Sequence, residues 1–459
     1  MSSVAVLIAA VVACSGPKTG ALPQSAVKSG ENLRLRALSS PNPIKHVVIL
    51  IMENRSVDNL FNGFPNADTV TSGQDSQGNT VPLHQVSLTA PYDLLHSHKA
   101  FETEYNNGSM NGFDLETYHL VHPSPSPSPL VDAAYGIVPQ SEVQPDWTIA
   151  EQYAFADRMF QTNSGPSFPA HQYLISGTSA TGKIAGYSAM ENPNAVFYDA
   201  NIGGCDSKSG TSVRLINPST NDQSKWTFPC FDHTTLMDLL DAQSVTWKYY
   251  SNVQFAGLWN APDAIKHLRY NPNYKTYDVA PADKTFFADV TAGSLPAVSW
   301  VIPSSWESDH AGVSGKYGPA FVAKVVNAIG LSPYWSNTAI FITWDDWGGW
   351  YDHVPPPQYN YYELGMRVPL IAVSPYALPG YVSHTQHEFG SILNFVEETF
   401  NIPCAQPPPN CGALGYTDMR ADDLGDMFNF SQTPIPFKQI PAQRVPDGIL
   451  SNDQNPDND

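Results

Sequence analysis

Four short apolar runs constrain this chain most: "IKHVVILIM" at 44–52, "AVSWVI" at 297–302, "TAIFIT" at 338–343 and "VPLIAVS" at 368–374. Each is continuous rather than alternating, and rich in Val and Ile. A strand with one wet face alternates polar and apolar residues. A continuous run is dry on both faces, as a parallel strand between two helix layers must be. The stretches between the runs carry apolar residues at helical spacing: "FDHTTLMDLLDAQ" (231–243), "PAFVAKVVNAIG" (319–330) and "EFGSILNFVEETF" (388–400). The last sets Ile392, Leu393, Val396 and Phe400 on one side. Buried strands alternating with helices predict an α/β fold, a three-layer α/β/α sandwich around a mostly parallel central sheet. Such sheets bind ligands at the carboxyl ends of their strands. Long Gly-, Pro-, Ser- and Asn-rich segments, "PSPSPSP" at 123–129 among them, predict loops roofing that edge.

The residues that follow the strands are acids, amides and imidazoles. The first run ends in "ENRSVDN", with Glu53, Asn54, Arg55, Ser56 and Asp58. The second leads into "SSWESDH", with Asp309 and His310. The third ends in "WDDWGGWYDHVPPP", with Asp345, Asp346, Asp352 and His353. Carboxylates placed together repel and raise one another's pKa unless a cation lies among them, so a metal accounts for the clustering economically. Oxygen donors with histidines nearby suit one hard or borderline divalent ion of unspecified identity. Taken singly, each motif has a plainer reading. Asp-Asp after a strand serves as a turn and helix cap, "ENRS" as a capping stretch, and "YDHVPPP" as a Pro-stiffened loop. Their concurrence at strand ends favours the metal.

A nucleophile is suggested by "NSGPSFPAHQYLISGTS". Gly165-Pro166 makes a tight turn, Ser167 is expected as the N-cap, and Pro169 falls in the first helical turn. A hydroxyl there faces free backbone N–H groups and the positive end of a helix dipole, a seat for phosphate or sulfate. A plain Ser cap is the alternative. No G-x-S-x-G elbow, Walker A loop, G-x-G-x-x-G or H-E-x-x-H occurs, which argues against acyl hydrolase, nucleotide-binding and zincin readings.

With 42% hydrophobic residues, 459 residues suffice for one large α/β domain or two smaller ones. The balance of 23 basic against 43 acidic residues, net −20, disfavours nucleic acid as the main partner. The first residues, "MSSVAVLIAAVVACSG", have the length of an export signal, and "VVAC" resembles a bacterial lipobox ending at Cys14, although no Lys or Arg precedes it. The expected organisation is a signal at 1–14, a linker at 15–43, one catalytic domain at 44–430 and a partly disordered tail at 431–459. The predicted location is exported, in the periplasm, at the cell surface or secreted, with Cys14 as a membrane tether. The other four cysteines pair most simply as Cys205–Cys230 and Cys404–Cys411, with four free thiols as the alternative.

Six blocks carry a family resemblance in order: "VVILIMENRSVDNLF", "DLLHSHKAFETEYNNGSMNGFD", "FQTNSGPSFPAHQYLISG", "AVSWVIPSSWESDH", "TAIFITWDDWGGWYDHVPPP" and "GMRVPLIAVSPYALPGYVSHTQHEFGSILNFVEETF". Over about residues 44–430 the chain resembles the phosphoesterase family of bacterial and plant phospholipases C and related acid phosphatases. That family is similar in fold to the alkaline phosphatase superfamily, which implies a metal-assisted Ser or Thr nucleophile. The resemblance implies that Glu53, Asn54, Ser167, Asp345 and Asp346 surround the metal. His96, His310 and His353 are implied at the phosphate pocket, with His353 and His310 as the candidates to protonate the leaving alkoxide and His384 as a weaker pocket candidate; Asp309 is a weaker candidate from its place after the second strand. Val57 stands where the family usually has Phe, and Ala170 where it has Asn. Asp345-Asp346 matches the acid phosphatase branch, whereas phospholipases more often have Asp-Glu, and the long C-terminal extension of the large bacterial phospholipases is lacking.

Three functions follow as expectations. The first is an exported metal-dependent phosphoesterase acting on monoesters through a Ser167 phosphoryl-enzyme, acid phosphatase-like. The second is a phospholipase C cleaving lipid phosphodiesters, and the third a non-catalytic surface-binding lipoprotein. The substrate partner is accordingly a phosphate ester or a phospholipid. Trp306, Trp347, Trp350 and Tyr351 beside the motifs are expected to pack under loops, with a pocket mouth or lipid contact as the alternative.

Overall fold

The computed structural model describes residues 42–120, 131–194, 202–252, 257–312, 317–406 and 411–444. The expected export signal with Cys14, the expected linker to residue 41, the "PSPSPSP" stretch and the last residues of the tail lie outside them. The main sheet has eight strands, here labelled in chain order: β1 His46–Met52, β2 Ala154–Ala156, β3 Trp247–Tyr250, β4 Asp278–Val279, β5 Val298–Val301, β6 Thr338–Trp344, β7 Leu370–Val373 and β8 Tyr381–Ser383. Their spatial order is β4-β3-β5-β1-β6-β7-β2-β8. β1 lies at the centre, paired in parallel with β5 and β6 and dry on both faces.

One strand departs from the parallel expectation. β7 runs antiparallel to both β6 and β2. A parallel neighbour needs a crossover that returns the chain to the starting edge, usually through a helix. Residues 345–369 hold no helix, so the chain stays at the edge where β6 ended and re-enters the sheet from there.

Helices cover both faces. Successive β6 side chains point opposite ways. Phe341 packs edge-on against Phe395 at 4.8 Å, whereas Trp344 meets Phe61, which stacks on Trp147. Phe395 belongs to α6, Phe389–Thr399, and Trp147 to α2, Gln144–Gln152. α6 packs on α3, Ser167–Ser176, and α2 packs on α5, Gly318–Gly330. A further helix, α4, covers Leu236–Ala242. It starts later than expected because Thr235 and Asp238 close a capping box there. The remaining helix used below, α1, is His98–Tyr105.

Both expected disulfides form, Cys205–Cys230 and Cys404–Cys411. The loops over the strand ends have an apolar core of their own, which includes Trp347, Trp350 and Tyr351, so these rings pack rather than line a mouth. Trp306 remains partly exposed. The described part of the tail packs on the domain. Trp335 Nε1 donates to Ile435 O at 2.9 Å, Phe437 packs on Trp335, and Asn327 exchanges two hydrogen bonds with the backbone of Ile440. Two isoleucines and an aromatic, spaced through a polar segment, tie 435–440 to the α5 side of the sheet.

Candidate active site

The site grows from the ends of two adjacent strands. Glu53 and Asn54 follow β1, and Asp345 and Asp346 follow β6, while Asp345 N donates to Met52 O at 3.0 Å and locks the two ends together. Glu53 N donates to Ser308 O at 2.8 Å, drawing in the segment that follows β5. Asn54 takes a positive φ of 60°, a conformation that asparagine tolerates better than most residues. That turn aims its backbone N–H at Asp345 Oδ1, 3.2 Å away.

Ser167 is where the structure departs from a simple cap. Pro166, in extended conformation, takes the N-cap position, and Ser167 is the first residue of α3. Its hydroxyl is therefore not used on a backbone N–H. It lies 3.2 Å from Asp346 Oδ2 and 3.4 Å from Asn54 Oδ1. The Phe168 N–H, exposed by the helix start, is capped instead by Asn192 Oδ1 at 2.9 Å.

His171 completes the group. One helical turn after Ser167 places it on the same face of α3. Its Nε2 is 2.9 Å from Glu53 Oε1 and 3.7 Å from Asp345 Oδ2. Glu53, His171 and Asp345 bring ligand atoms within 4.8 Å of one another, all fully buried. This histidine was not singled out from the sequence. Its only signal is the four-residue spacing in "SFPAH", which any amphipathic helix also shows.

The donor chemistry fits a divalent cation. Three carboxylates, an amide, an imidazole and a hydroxyl converge without solvent, and buried carboxylates at this spacing are stable when a cation offsets their repulsion. Glu53, Asn54, Asp345 and Asp346 would hold it, with His171 able to add a nitrogen ligand.

Two further histidines border the group. His96 Nδ1 lies 2.7 Å from Leu94 O, so it carries the proton, and Nε2 accepts from Asn54 Nδ2 at 3.1 Å. His310 Nδ1 is likewise anchored on Ala311 O at 2.6 Å. The two rings are 6.2 Å apart, and Trp259 stacks between His310 and His171. At 6% and 5% exposure, His96 and His310 are where this otherwise dry group meets solvent.

The remaining sequence candidates are held elsewhere. Both ring nitrogens of His353 are taken, Nδ1 by Asp58 at 2.6 Å and Nε2 by Asp68 at 3.2 Å. Burial opposes its charged form, but these two bonds outweigh it and lift the imidazole to about 9. Asp352 belongs to the same network through a two-pronged contact with Arg367. His384 pairs with Asp157. Asp309, pushed up to about 7 mainly by burial, accepts from Trp344 Nε1, and its backbone carbonyl accepts from Arg55.

The model of the Phosphoesterase family matches residues 44–403, most of the chain. The chain belongs to the Phosphoesterase family. It is thereby a hydrolase of phosphoric esters. Similar proteins include "Phospholipase C A" of Mycobacterium tuberculosis, 23% identical with 85% of this chain and 78% of the relative covered. "Non-specific phospholipase C6" of Arabidopsis thaliana is 24% identical, over 86% of this chain and 74% of the relative. "Non-hemolytic phospholipase C" of Burkholderia pseudomallei is also 24% identical, over 87% of this chain but 61% of that protein. Among solved structures, a Vibrio parahaemolyticus protein of the alkaline phosphatase superfamily aligns with a TM-score of 0.36 at 11% identity, over 88% of this chain and 79% of that one. Among the described residues no helix is long and apolar enough to cross a membrane.

Proposed function

We propose that this phosphoesterase is metal-dependent and hydrolyses phosphate monoesters through a phosphoseryl intermediate at Ser167. The observation that carries the reading is the Ser167 hydroxyl, held by Asp346 and Asn54 at the first turn of α3 beside the Glu53–Asp345–His171 cluster. Glu53, Asn54, Asp345, Asp346 and His171 would hold a divalent ion, which would supply positive charge to lower the hydroxyl pKa and offset the charge of the phosphate. Asp346 Oδ2 receives the Ser167 proton. Oγ then bonds to phosphorus as the ester P–O bond breaks. His310 in its imidazolium form, anchored through Nδ1, presents Nε2–H to the leaving alkoxide, and His96 fixes Asn54 through Nε2. Water next attacks phosphorus as the Ser167 Oγ–P bond breaks; one water proton passes to the now neutral His310 and the proton held by Asp346 returns to Oγ, so phosphate leaves and both groups are restored. His353, already tied to Asp58 and Asp68, keeps a positive charge near the loop rather than the proton-transfer role.

The similarity to phospholipases C supports a second reading, in which the ester is a lipid phosphodiester and the product a phosphomonoester. Export is part of the proposal, supported by two disulfides that persist in an oxidising compartment, and lipidation at Cys14 would add a membrane tether. The test is p-nitrophenol release from p-nitrophenyl phosphate and from p-nitrophenylphosphorylcholine, with chelated and metal-restored protein beside Ser167→Ala. Monoester preference that needs both metal and Ser167 is expected. Diester preference moves the assignment to phospholipase C, and no turnover with any divalent metal overturns the enzymatic mechanism.

A further inference from the structure

A cleft of about 810 Å³ opens over one face of α1. One wall is the face of α1 that carries His98, Glu102 and Tyr105, and the other is formed by Asn221, Tyr359 and Tyr361. Both walls are bonded to the same residue, Ser164, three positions before Ser167. His98 Nδ1 lies 2.7 Å from Ser164 O, and Ser164 donates two hydrogen bonds to the Tyr362 carbonyl, next to Tyr361.

Two acceptors, on His98 and Glu102, lie together in the α1 wall of the cleft. Since Nδ1 faces a carbonyl, it carries the proton of a neutral His98, and Nε2 is a lone pair. Burial lowers the pKa of this imidazole, in keeping with the neutral form. His98 is 1% exposed, and its Nε2 has no hydrogen-bond partner among the described residues. Another acceptor, Glu102 Oε1, lies 3.8 Å from it. Two acceptors that close ask for donors between them. Lys99 neutralises the far oxygen of Glu102 at 3.2 Å, so this wall is not strongly anionic. Tyr359 is pinned by Arg420 over its ring at 4.4 Å and by Gln386, while Tyr361 is 57% exposed at the rim.

Resting on the phosphoesterase reading, we propose that this cleft takes the part of the substrate's alcohol beyond the oxygen that His310 protonates, and that this part is a polyhydroxylated group such as a sugar or an inositol. Adjacent hydroxyls donate to His98 Nε2 and Glu102 Oε1, and the C–H face of the ring lies against the tyrosines. A phosphate-bearing or carboxylate group is disfavoured by the two acceptors.

The test compares kcat/KM for myo-inositol 1-phosphate with that for p-nitrophenyl phosphate in the full-length metal-loaded protein, Glu102→Ala and Tyr361→Ala. Both side chains are partly or largely exposed, so both variants are expected to fold. The ratio should fall about tenfold in each, the effect of losing one hydrogen bond or one ring contact of about 1.4 kcal/mol. An unchanged ratio overturns the subsite. Phosphocholine preferred over the inositol ester, with that preference lost in Glu102→Ala, replaces the polyol with an ammonium group. If p-nitrophenyl phosphate is not turned over at all, the catalytic reading has failed by itself. Saturation-transfer NMR with free myo-inositol then decides the cleft: signal that disappears in Glu102→Ala supports it, and no signal with the wild-type protein refutes it.

Discussion

Gly348 should be among the least replaceable residues of the site, although it carries no functional group. It has φ +61°, and its N–H donates to Asp346 Oδ1 at 2.7 Å. A Cβ at this position would overlap the Asn54 carbonyl oxygen and come within 2.9 Å of Asn54 Cβ. Forcing a non-glycine residue into the left-handed region costs about 1–2 kcal/mol. Overpacking against backbone that cannot rotate away adds roughly 1–3 kcal/mol. Gly348→Ala should therefore lose about 2–5 kcal/mol of stability. Any shift of Asn54 also moves the group that holds Ser167 and His96, and a misplacement of about 1 Å lowers kcat on the order of 100-fold. Gly63 supplies the control, with φ +79° and open space within 4 Å of the point a Cβ would occupy. Gly63→Ala should show only the conformational cost of about 1–2 kcal/mol. Urea denaturation midpoints and kcat on the best ester substrate test both variants. Equal stability losses and equal kcat in the two would refute the claim that the contact with Asn54 constrains the site.

Other outcomes follow from single contacts. Arg367→Ala leaves Asp352 buried beside Asp58 without its guanidinium, and should cost about 3–5 kcal/mol by denaturation. Trp347→Phe removes the 2.6 Å bond to the fully buried Glu104, whose carboxyl burial already pushes well up; a loss of about 1–3 kcal/mol is expected, with a drop in kcat because the indole also walls His96. His387 lies between Asp422 and Asp426; burial opposes its charge, but the two carboxylates outweigh it and hold it at about 9. Its folded pKa is above the ordinary 6.5, so its stabilisation is complete below that value and is lost as pH rises through about 9. Denaturation midpoints of the wild type should fall across that window, and those of His387→Gln should fall less.

Much of the architecture was legible because continuous apolar runs leave few options: β1, β5, β6 and β7 appear where the sequence has them, and α5 and α6 follow their apolar stripes. Acidic motifs at strand ends also pointed to Glu53, Asn54, Asp345 and Asp346, since a strand fixes both the position and the sheet edge of the residues after it. The direction of β7 was not legible, because an apolar run has no polarity and only the connection decides it. Nor was the tail, whose anchors Ile435, Phe437 and Ile440 are isolated apolar residues in a polar segment that acquire meaning only against Trp335 and Asn327.

Histidines mark the same boundary most clearly. By sequence His96, His310, His353 and His171 are equivalent imidazoles near motifs. Tertiary structure gives His171 to Glu53, ties His353 to Asp58 and Asp68, and leaves His96 and His310 at the solvent edge of the site. Local sequence determined which strands exist and which carboxylates end them, because those depend on burial and on neighbours along the chain. Which imidazole meets which carboxylate depends on residues up to hundreds of positions apart, and only the packed sheet brings them within a hydrogen bond.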